Sequence, residues 1–473
     1  MDAEISREDL ARVLYHTPRI HKLDLSDSAV THLLRGFDRI SDQTYDQLLA
    51  AFNKFTSPHT PFLPTLSELV VPFYHLKPEN RIIGLVWGPR ISKLSVRGQF
   101  IRGGSNETDS LWQNVTRLVK DSENRLTHFD VVIRGSFREP LYWTAQTYTI
   151  VLQTLKTSAP KLTHLNVESF PLSDIDLIAC LGALPSLEVL TMNIAVEQIT
   201  FNSNTDLRGL FSGLKAATLI VRAPDVISNL IQVWNATGLK SLTIIRRDRS
   251  HFWFTDRIFQ HLGQHLPARS FRSLILCYTV DDIPSDFKLQ TSNTTSSTFE
   301  MLGPLSGLEE LLINLGGRVI LDDNSLLSVA KAFPNLHKFE LYEREGSIPS
   351  TISPQGVLAF TAALPRLQDL VLRFNGTGNF PETSDIICHQ LVTWDVCTSD
   401  ASHVERLYSF IAHAFPRLRK LVWGWNYAHP IFVDNINIVY ETDADETRAE
   451  QSLACWNDIF KRLKIGSSFN EGA

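Results

Sequence analysis

Phe333-Pro334-Asn335-Leu336-His337-Lys338-Phe339-Glu340-Leu341 returns along the chain in altered wording. Leu364-Pro365-Arg366-Leu367-Gln368-Asp369-Leu370-Val371-Leu372, Phe415-Pro416-Arg417-Leu418-Arg419-Lys420-Leu421-Val422-Trp423 and Leu184-Pro185-Ser186-Leu187-Glu188-Val189-Leu190-Thr191-Met192 share its order of apolar residue, Pro, any, Leu, two of any kind, apolar, any, apolar. Proline restricts the residue before it to extended backbone and cannot donate to a helical ladder, so a helix ends there. The apolar residues two apart then share one face of a short strand, and the residues between them face the other way. One such strand cannot bury its apolar face by itself. Copies must stack in parallel, each joined to the next by a crossover carrying a helix.

The pattern opens about fourteen times, at Ile20, Leu66, Ile91, Leu126, Leu162, Leu187, Leu214, Leu239, Phe271, Leu308, Leu336, Leu367, Leu391 and Leu418. Its spacing runs from roughly 24 to 46 residues, against about 20–29 in a regular array. The copies at Leu214 and Leu391 are the weakest, and the long step from Ile20 to Leu66 has room for an insertion. Helices are expected ahead of most strands, over residues 7–16, 42–55, 110–120, 144–157, 173–183, 225–234, 255–264, 324–333, 355–363 and 402–414. The stretches Gly103-Gly104-Ser105-Asn106 and Gln290 to Ser297 read as loops between repeats. A last helix is expected over 444–465, with Leu453, Trp456, Phe460 and Leu463 on one face. The predicted organisation is one array over residues 1–430 and a C-terminal helical cap over 431–473.

These phrases resemble the leucine-rich-repeat superfamily across nearly the whole chain. The resemblance implies an α/β solenoid, a horseshoe with parallel strands on the concave face and helices on the convex face. The regular repeat of that family carries Asn or Cys at its ninth position, satisfying backbone groups in the turn. Asn375 and Asn426 stand there, while other copies carry residues such as Thr279, Arg344 or Ser399. The irregular spacing, long helices and Leu/Phe-Pro-x-Leu-x-x-Leu wording look most like the repeat domains of fungal F-box proteins. In that family the repeats select a target and an F-box attaches it to a cullin-based ubiquitin ligase. The resemblance therefore implies the substrate-recognition part of a ubiquitin-ligase receptor. No F-box pattern precedes Ile20. A cullin-ligase adaptor is expected as a partner only through an F-box in a longer form, or a cryptic one within residues 1–60 where 42–55 is the candidate helix. A free-standing scaffold or inhibitor with no ligase connection is the alternative.

Composition narrows the function further. A formal net charge of −6 over 473 residues lacks the electrostatic footprint of a nucleic-acid binder. The basic run Arg246-Arg247-Asp248-Arg249 reads as a solvated loop. Cys180, Cys277, Cys388, Cys397 and Cys455 are odd in number and lack metal-ligand spacing, so reduced thiols in a cytoplasmic or nuclear protein are expected. The acidic opening Met1 to Leu10 is unlike a signal peptide, and no apolar run reaches the ~18 residues of a membrane helix. The chain contains no Gly-x-Ser-x-Gly, His-Glu-x-x-His or Gly-x-x-x-x-Gly-Lys motif, so neither an enzyme, a cofactor nor a metal is expected. His128 and His164 fall at equivalent outward strand positions and are expected as neighbours. Without a nearby carboxylate or thiol, they read as surface residues rather than metal ligands.

A protein partner of unknown identity is expected on the concave face, where outward side chains form columns on a rigid scaffold. The fifth position of each copy gives Asp24, Val70, Ser95, Asp130, Asn166, Thr191, Thr218, Thr243, Ile275, Leu312, Glu340, Val371, Asp395 and Val422. The candidate docking set lies in the copies from Leu336 to Leu418. Lys338 and Asp369 share one column there, Tyr342 and Arg373 another, Glu340 stands between, and Phe374 and Trp425 follow one position later. Aromatic and arginine side chains dominate interface hot spots. Such columns can also satisfy themselves, by pairing opposite charges or laying an arginine over a tyrosine ring.

Overall fold

Each described copy of the repeated phrase becomes a strand, and helices lie between many of the successive strands. The computed structural model describes residues 7–24, 50, 62–72, 87–99, 105–122, 124–134, 145–172, 175–195, 210–223, 225–234, 237–246, 256–278, 292–343, 350–381, 386–397, 399–423 and 443–463. Its contacts gather into two compact units, Met1–Asn193 with Phe201–Leu214, and Ile194–Thr200 with Lys215–Ala473. The division falls within the span expected as one array, and the repeat phrase runs through both units.

In the first unit the strands are β1 (Lys22–Asp24), β2 (Glu68–Pro72), β3 (Lys93–Gln99), β4 (His128–Arg134), β5 (His164–Leu172) and β6 (Val189–Ile194, all but its last residue), arranged in chain order. Successive pairs from β1 to β5 are parallel. The helices are α1 (Arg7–His16), α2 (Ser105–Asp121), α3 (Ala145–Ser158) and α4 (Ile175–Gly182). Trp112 of α2 is buried and meets Phe170 of β5 edge-on at 5.1 Å.

The second unit holds β7 (Ala216–Val221), β8 (Ser241–Arg246), β9 (Ser273–Tyr278), β10 (Ser292–Thr295), β11 (Glu310–Asn314), β12 (Gly316–Ile320), β13 (Lys338–Tyr342), β14 (Asp369–Val371), β15 (Thr393–Asp395) and β16 (Lys420–Val422). Eight of these strands run parallel in the order β7-β8-β9-β11-β13-β14-β15-β16. The helices are α5 (Asp225–Val233), α6 (Asp256–His265), α7 (Ser296–Leu302), α8 (Asp323–Ala332), α9 (Pro354–Ala363), α10 (Val404–Ala414) and α11 (Asp443–Leu463). Parallel strands in chain order alternating with helices make this the α/β leucine-rich-repeat fold.

One backbone device recurs. The carbonyl of His337 accepts from the amides of both Gln368 and Asp369, that of Gln368 from Val392 and Thr393, and that of Val392 from Arg419 and Lys420. The same fork occurs at Ser67, Ser92, Thr127 and Thr163 in the first unit. It lies where each phrase enters its strand, and it fixes the register, since a one-residue slip would turn every apolar side chain outward. The register therefore follows the fifth-position column, with Ser95 beside Asp130 and Asn166, and Thr243 beside Ile275, Leu312, Glu340, Val371, Asp395 and Val422.

Two loop expectations need amendment, the first being Gly103-Gly104-Ser105-Asn106, of which Ser105 and Asn106 open α2. Ser292–Thr295, read as loop, pairs in parallel with β12, and α7 begins directly after it. The strand forms because Gly316–Ile320 offers it an edge, and Asn293 Oδ1 accepts the Arg318 amide at 3.2 Å. The expected helix 42–55 lies outside the described residues apart from residue 50.

Neighbouring repeats also interlock on the helix side. Asp322 caps α8 by accepting the Ser325 amide at 2.8 Å. Asp323 then reaches into the next repeat, where it accepts the Ser353 amide at 2.7 Å and the Ser353 hydroxyl. Ser353 in turn caps α9 through the Gly356 amide at 3.1 Å. A Cβ on Gly356 would come within 2.0 Å of Asp323 Oδ1, so the joint requires glycine there.

At the end of the second unit, α11 packs against α10. Trp456 is fully buried, and its indole N–H donates to the Ser399 carbonyl at 2.9 Å. Ser399 also satisfies its own turn, its hydroxyl accepting the Phe374 amide at 2.9 Å and donating to the Val396 carbonyl. It does the work expected of asparagine at that repeat position.

Candidate functional site

Of the docking residues named from the sequence, Lys338, Glu340 and Tyr342 on β13 are engaged with one another. β13 presents Lys338, Glu340 and Tyr342 on its outward face, while Phe339 and Leu341 enter the core. Lys338 Nζ contacts Glu340 Oε1 at 2.8 Å, and the Tyr342 hydroxyl donates to Glu340 Oε2 at 3.2 Å. Asp369 stands opposite Lys338 in register. Arg373 pairs with Glu343 at 2.6 Å, where the two side chains are 11% and 8% exposed. The other Glu343 oxygen accepts the Val319 amide of β12 at 3.0 Å. Arg373 thus meets a carboxylate that the column count did not single out, one residue beyond Tyr342.

Phe374 must be withdrawn from the outward set. It is 1% exposed, stacks on Trp394 at 5.2 Å and meets Trp456 edge-on at 6.3 Å. Its position immediately after Arg373 turns it to the opposite side, into the core. Trp425 lies outside the described residues.

The outward face differs between the units. In the second, Ile220, Leu312, Glu340, Val371 and Val422 are all buried despite pointing away from the helices. In the first, Ser95, Asp130, Asn166, His128 and His164 are half-buried, and Lys93 and Arg97 are exposed.

Enclosure sets the electrostatics around β13. Burial pushes the Asp395 carboxyl up to about 7, with the Glu340 charge adding to the shift and the Cys397 amide and Lys420 opposing it. Burial likewise raises the Tyr342 phenol, and the charges of Glu340, Cys397 and Asp395 act in the same sense. Burial works against the Lys338 ammonium, but Glu340, Glu310 and Asp369 outweigh it and its pKa rises. The Cys277 and Cys397 thiols are both driven upward by burial. They remain protonated, which leaves them poor nucleophiles. The cluster is therefore suited to holding shape and presenting charge. Among the described residues no group of three or more His, Cys, Asp or Glu side chains could hold a metal ion, and no helix is long and apolar enough to cross a membrane.

No protein-family profile and no curated protein matches the sequence. Solved structures similar to it include a Bacteroides fragilis protein at 13% identity, with 60% of this chain and 68% of the other covered and a TM-score of 0.32. Another is the leucine-rich repeat-containing protein LegL7 from Legionella pneumophila at 13% identity, covering 78% and 88% with a TM-score of 0.33. A third is the complex of Rad7 and Elc1 in yeast, at 11% identity, covering 92% of each chain with a TM-score of 0.36.

Proposed function

We propose that this chain is a non-enzymatic protein-binding module whose partner docks on the outward strand face. The observation that carries this reading is the unbroken parallel register within each unit, which sets outward side chains in columns on a stiff backbone. Within the second unit, Lys338 and Asp369 are the half-buried residues a partner would reach. Glu340 holds Lys338 at 2.8 Å, and the Tyr342 hydroxyl donates to the same carboxylate. The repeated Leu/Phe-Pro-x-Leu-x-x-Leu wording supports a narrower role as the substrate-recognition part of an F-box-type ubiquitin-ligase receptor. The alternative is a scaffold that acts with no ligase.

The test begins with capture of a partner from the native cell on the immobilised full chain. Affinity is then measured with purified components for the parent protein and for the Lys338→Ala/Asp369→Ala variant. A loss of at least about tenfold, with an unchanged melting temperature, is expected of residues at an interface centre. Unchanged affinity would remove the site from β13 and β14.

A further inference from the structure

His128 on β4 and His164 on β5 stand opposite each other in register, and their rings stack at 4.0 Å with planes 11° apart. Alternation along the strands sends Phe129 and Leu165 into the core and leaves both imidazoles on the outward face. Nδ1 of each ring lies 2.9 Å from the hydroxyl of the threonine before it, Thr127 or Thr163. Each hydroxyl also reaches a carbonyl of the preceding repeat, Ser92 at 3.1 Å and Thr127 at 3.0 Å. A hydroxyl can give one proton and accept another. When the ring is protonated, Nδ1–H therefore donates to threonine, the threonine proton goes to the carbonyl, and only Nε2–H is left without an acceptor. Among the described residues neither Nε2 has a hydrogen-bond partner, and neither is sealed from solvent.

We propose that His128, His164 and Lys93 form an acid-switched oxyanion site, in which two side-by-side Nε2–H groups grip the two oxygens of one carboxylate. The site does not depend on the docking role proposed for β13 and β14. Lys93 is the register neighbour of His128 on the side away from His164. Glu68, beyond Lys93 in the same column, is tied to Lys22 at 2.6 Å. Asp130, two residues along β4, accepts from Ser95 at 2.8 Å and lies 3.6 Å from Arg97. On the β6 side the backbone fork sets Val189 level with His164, and Glu188 level with Thr163. No carboxylate of the described chain is thus level with either ring in its immediate neighbour strands.

Burial first, then the charges of His164 and Lys93, hold His128 below the ordinary imidazole range, with Glu68 opposing. Protonating both stacked rings sets like charges face to face beside a lysine, and an anion across the Nε2 atoms offsets that repulsion. Protonation and anion binding therefore favour each other, by reciprocal linkage. A transition metal fits the pair less well, because side-by-side stacked rings aim their lone pairs in parallel rather than at one ion.

Histidine-selective NMR on the full chain reads each ring's titration from about pH 5 to about pH 8. Acetate, inorganic phosphate and chloride are compared at equal ionic strength. Acetate is expected to raise the midpoints of His128 and His164 by about 0.5 pH unit, a roughly threefold gain in proton affinity. In His164→Gln the acetate effect at His128 should fall to that seen at exposed His21 and His389. A response to phosphate alone would keep the oxyanion site and replace carboxylate by phosphate as its ligand. Acetate and phosphate effects on the parent pair no larger than at His21 would overturn the proposal. So would loss of both titrations on adding zinc at neutral pH, which would make the pair a metal site.

Discussion

Removing Arg373 should expose how the β13 cluster is held. At 11% and 8% exposure, Arg373 and Glu343 are both largely out of water, and their 2.6 Å contact neutralises each charge. Arg373→Ala strands the Glu343 carboxylate in that enclosure, which costs about 3–5 kcal/mol for a buried pair broken on one side. Replacing both partners has a different outcome. In Arg373→Met/Glu343→Gln no buried charge remains, and the glutamine carbonyl can keep accepting the Val319 amide that now binds Glu343 at 3.0 Å. Methionine also preserves much of the packing of the arginine stem, so the double variant should lose only about 1 kcal/mol. Urea unfolding followed by tryptophan emission suits the comparison, because Trp394 and Trp456 lie buried in the same unit. The free energies should be compared at equal m-value, since a change in slope would signal a changed denatured state. The reasoning fails if Arg373→Ala costs under about 1 kcal/mol, or if the double variant is destabilised as much as the single one.

Leu370→Ala, at a position 1% exposed, should cost about 2–5 kcal/mol by urea titration, and a near-neutral result would contradict its place in the core. Asp395 binds its proton more tightly folded than unfolded, so its contribution to stability should fall as pH rises from 3.8 to about 7. Asp395→Asn should flatten that part of the pH–stability curve, and an unaltered slope would assign the effect elsewhere. Gly356→Ala should displace the Asp323 carboxylate from Ser353 and lower the melting temperature, while Asp323→Ala/Gly356→Ala should lose less than the two single effects combined. Purified chain mixed with the cullin-ligase adaptor is expected to show no stoichiometric binding in a pull-down, and retention of the adaptor would indicate a cryptic F-box in residues 1–60.

The strand face was legible because the phrase carries its own register. The copies at Leu214 and Leu391, weak in wording, still supply β7 and β15, with Thr218 beside Thr243 and Asp395 between Val371 and Val422. His128 and His164 were likewise placed together by counting alone. Phe374 was misplaced although the strand period of two already turns it away from Arg373. Glu343 shares the eighth position of the repeat with Phe374 and Trp425 and was passed over in the copy at Leu336. The burial of Glu340 and Leu312 on the outward side could not be counted at all. Lys338 and Tyr342 gather on the Glu340 carboxylate, and the repeat pattern carries no term for how outward side chains fold over their neighbours. Ser292–Thr295 escaped for a related reason. A short polar strand is stabilised by the edge it finds, here β12, more than by its own composition.

The joint between Asp323, Ser353 and Gly356 bears on how such a chain can be lengthened or rearranged. A carboxylate in one repeat, a serine cap in the next and a glycine three residues on act as one lock distributed over two repeats. A repeat copied elsewhere in the array would carry half of that lock to a neighbour lacking the other half. Insertion by whole-repeat duplication would therefore leave an unmatched carboxylate or cap at each new junction. Growth of the loops between intact locks avoids that penalty, and it would yield an array with uneven spacing and individually fitted junctions.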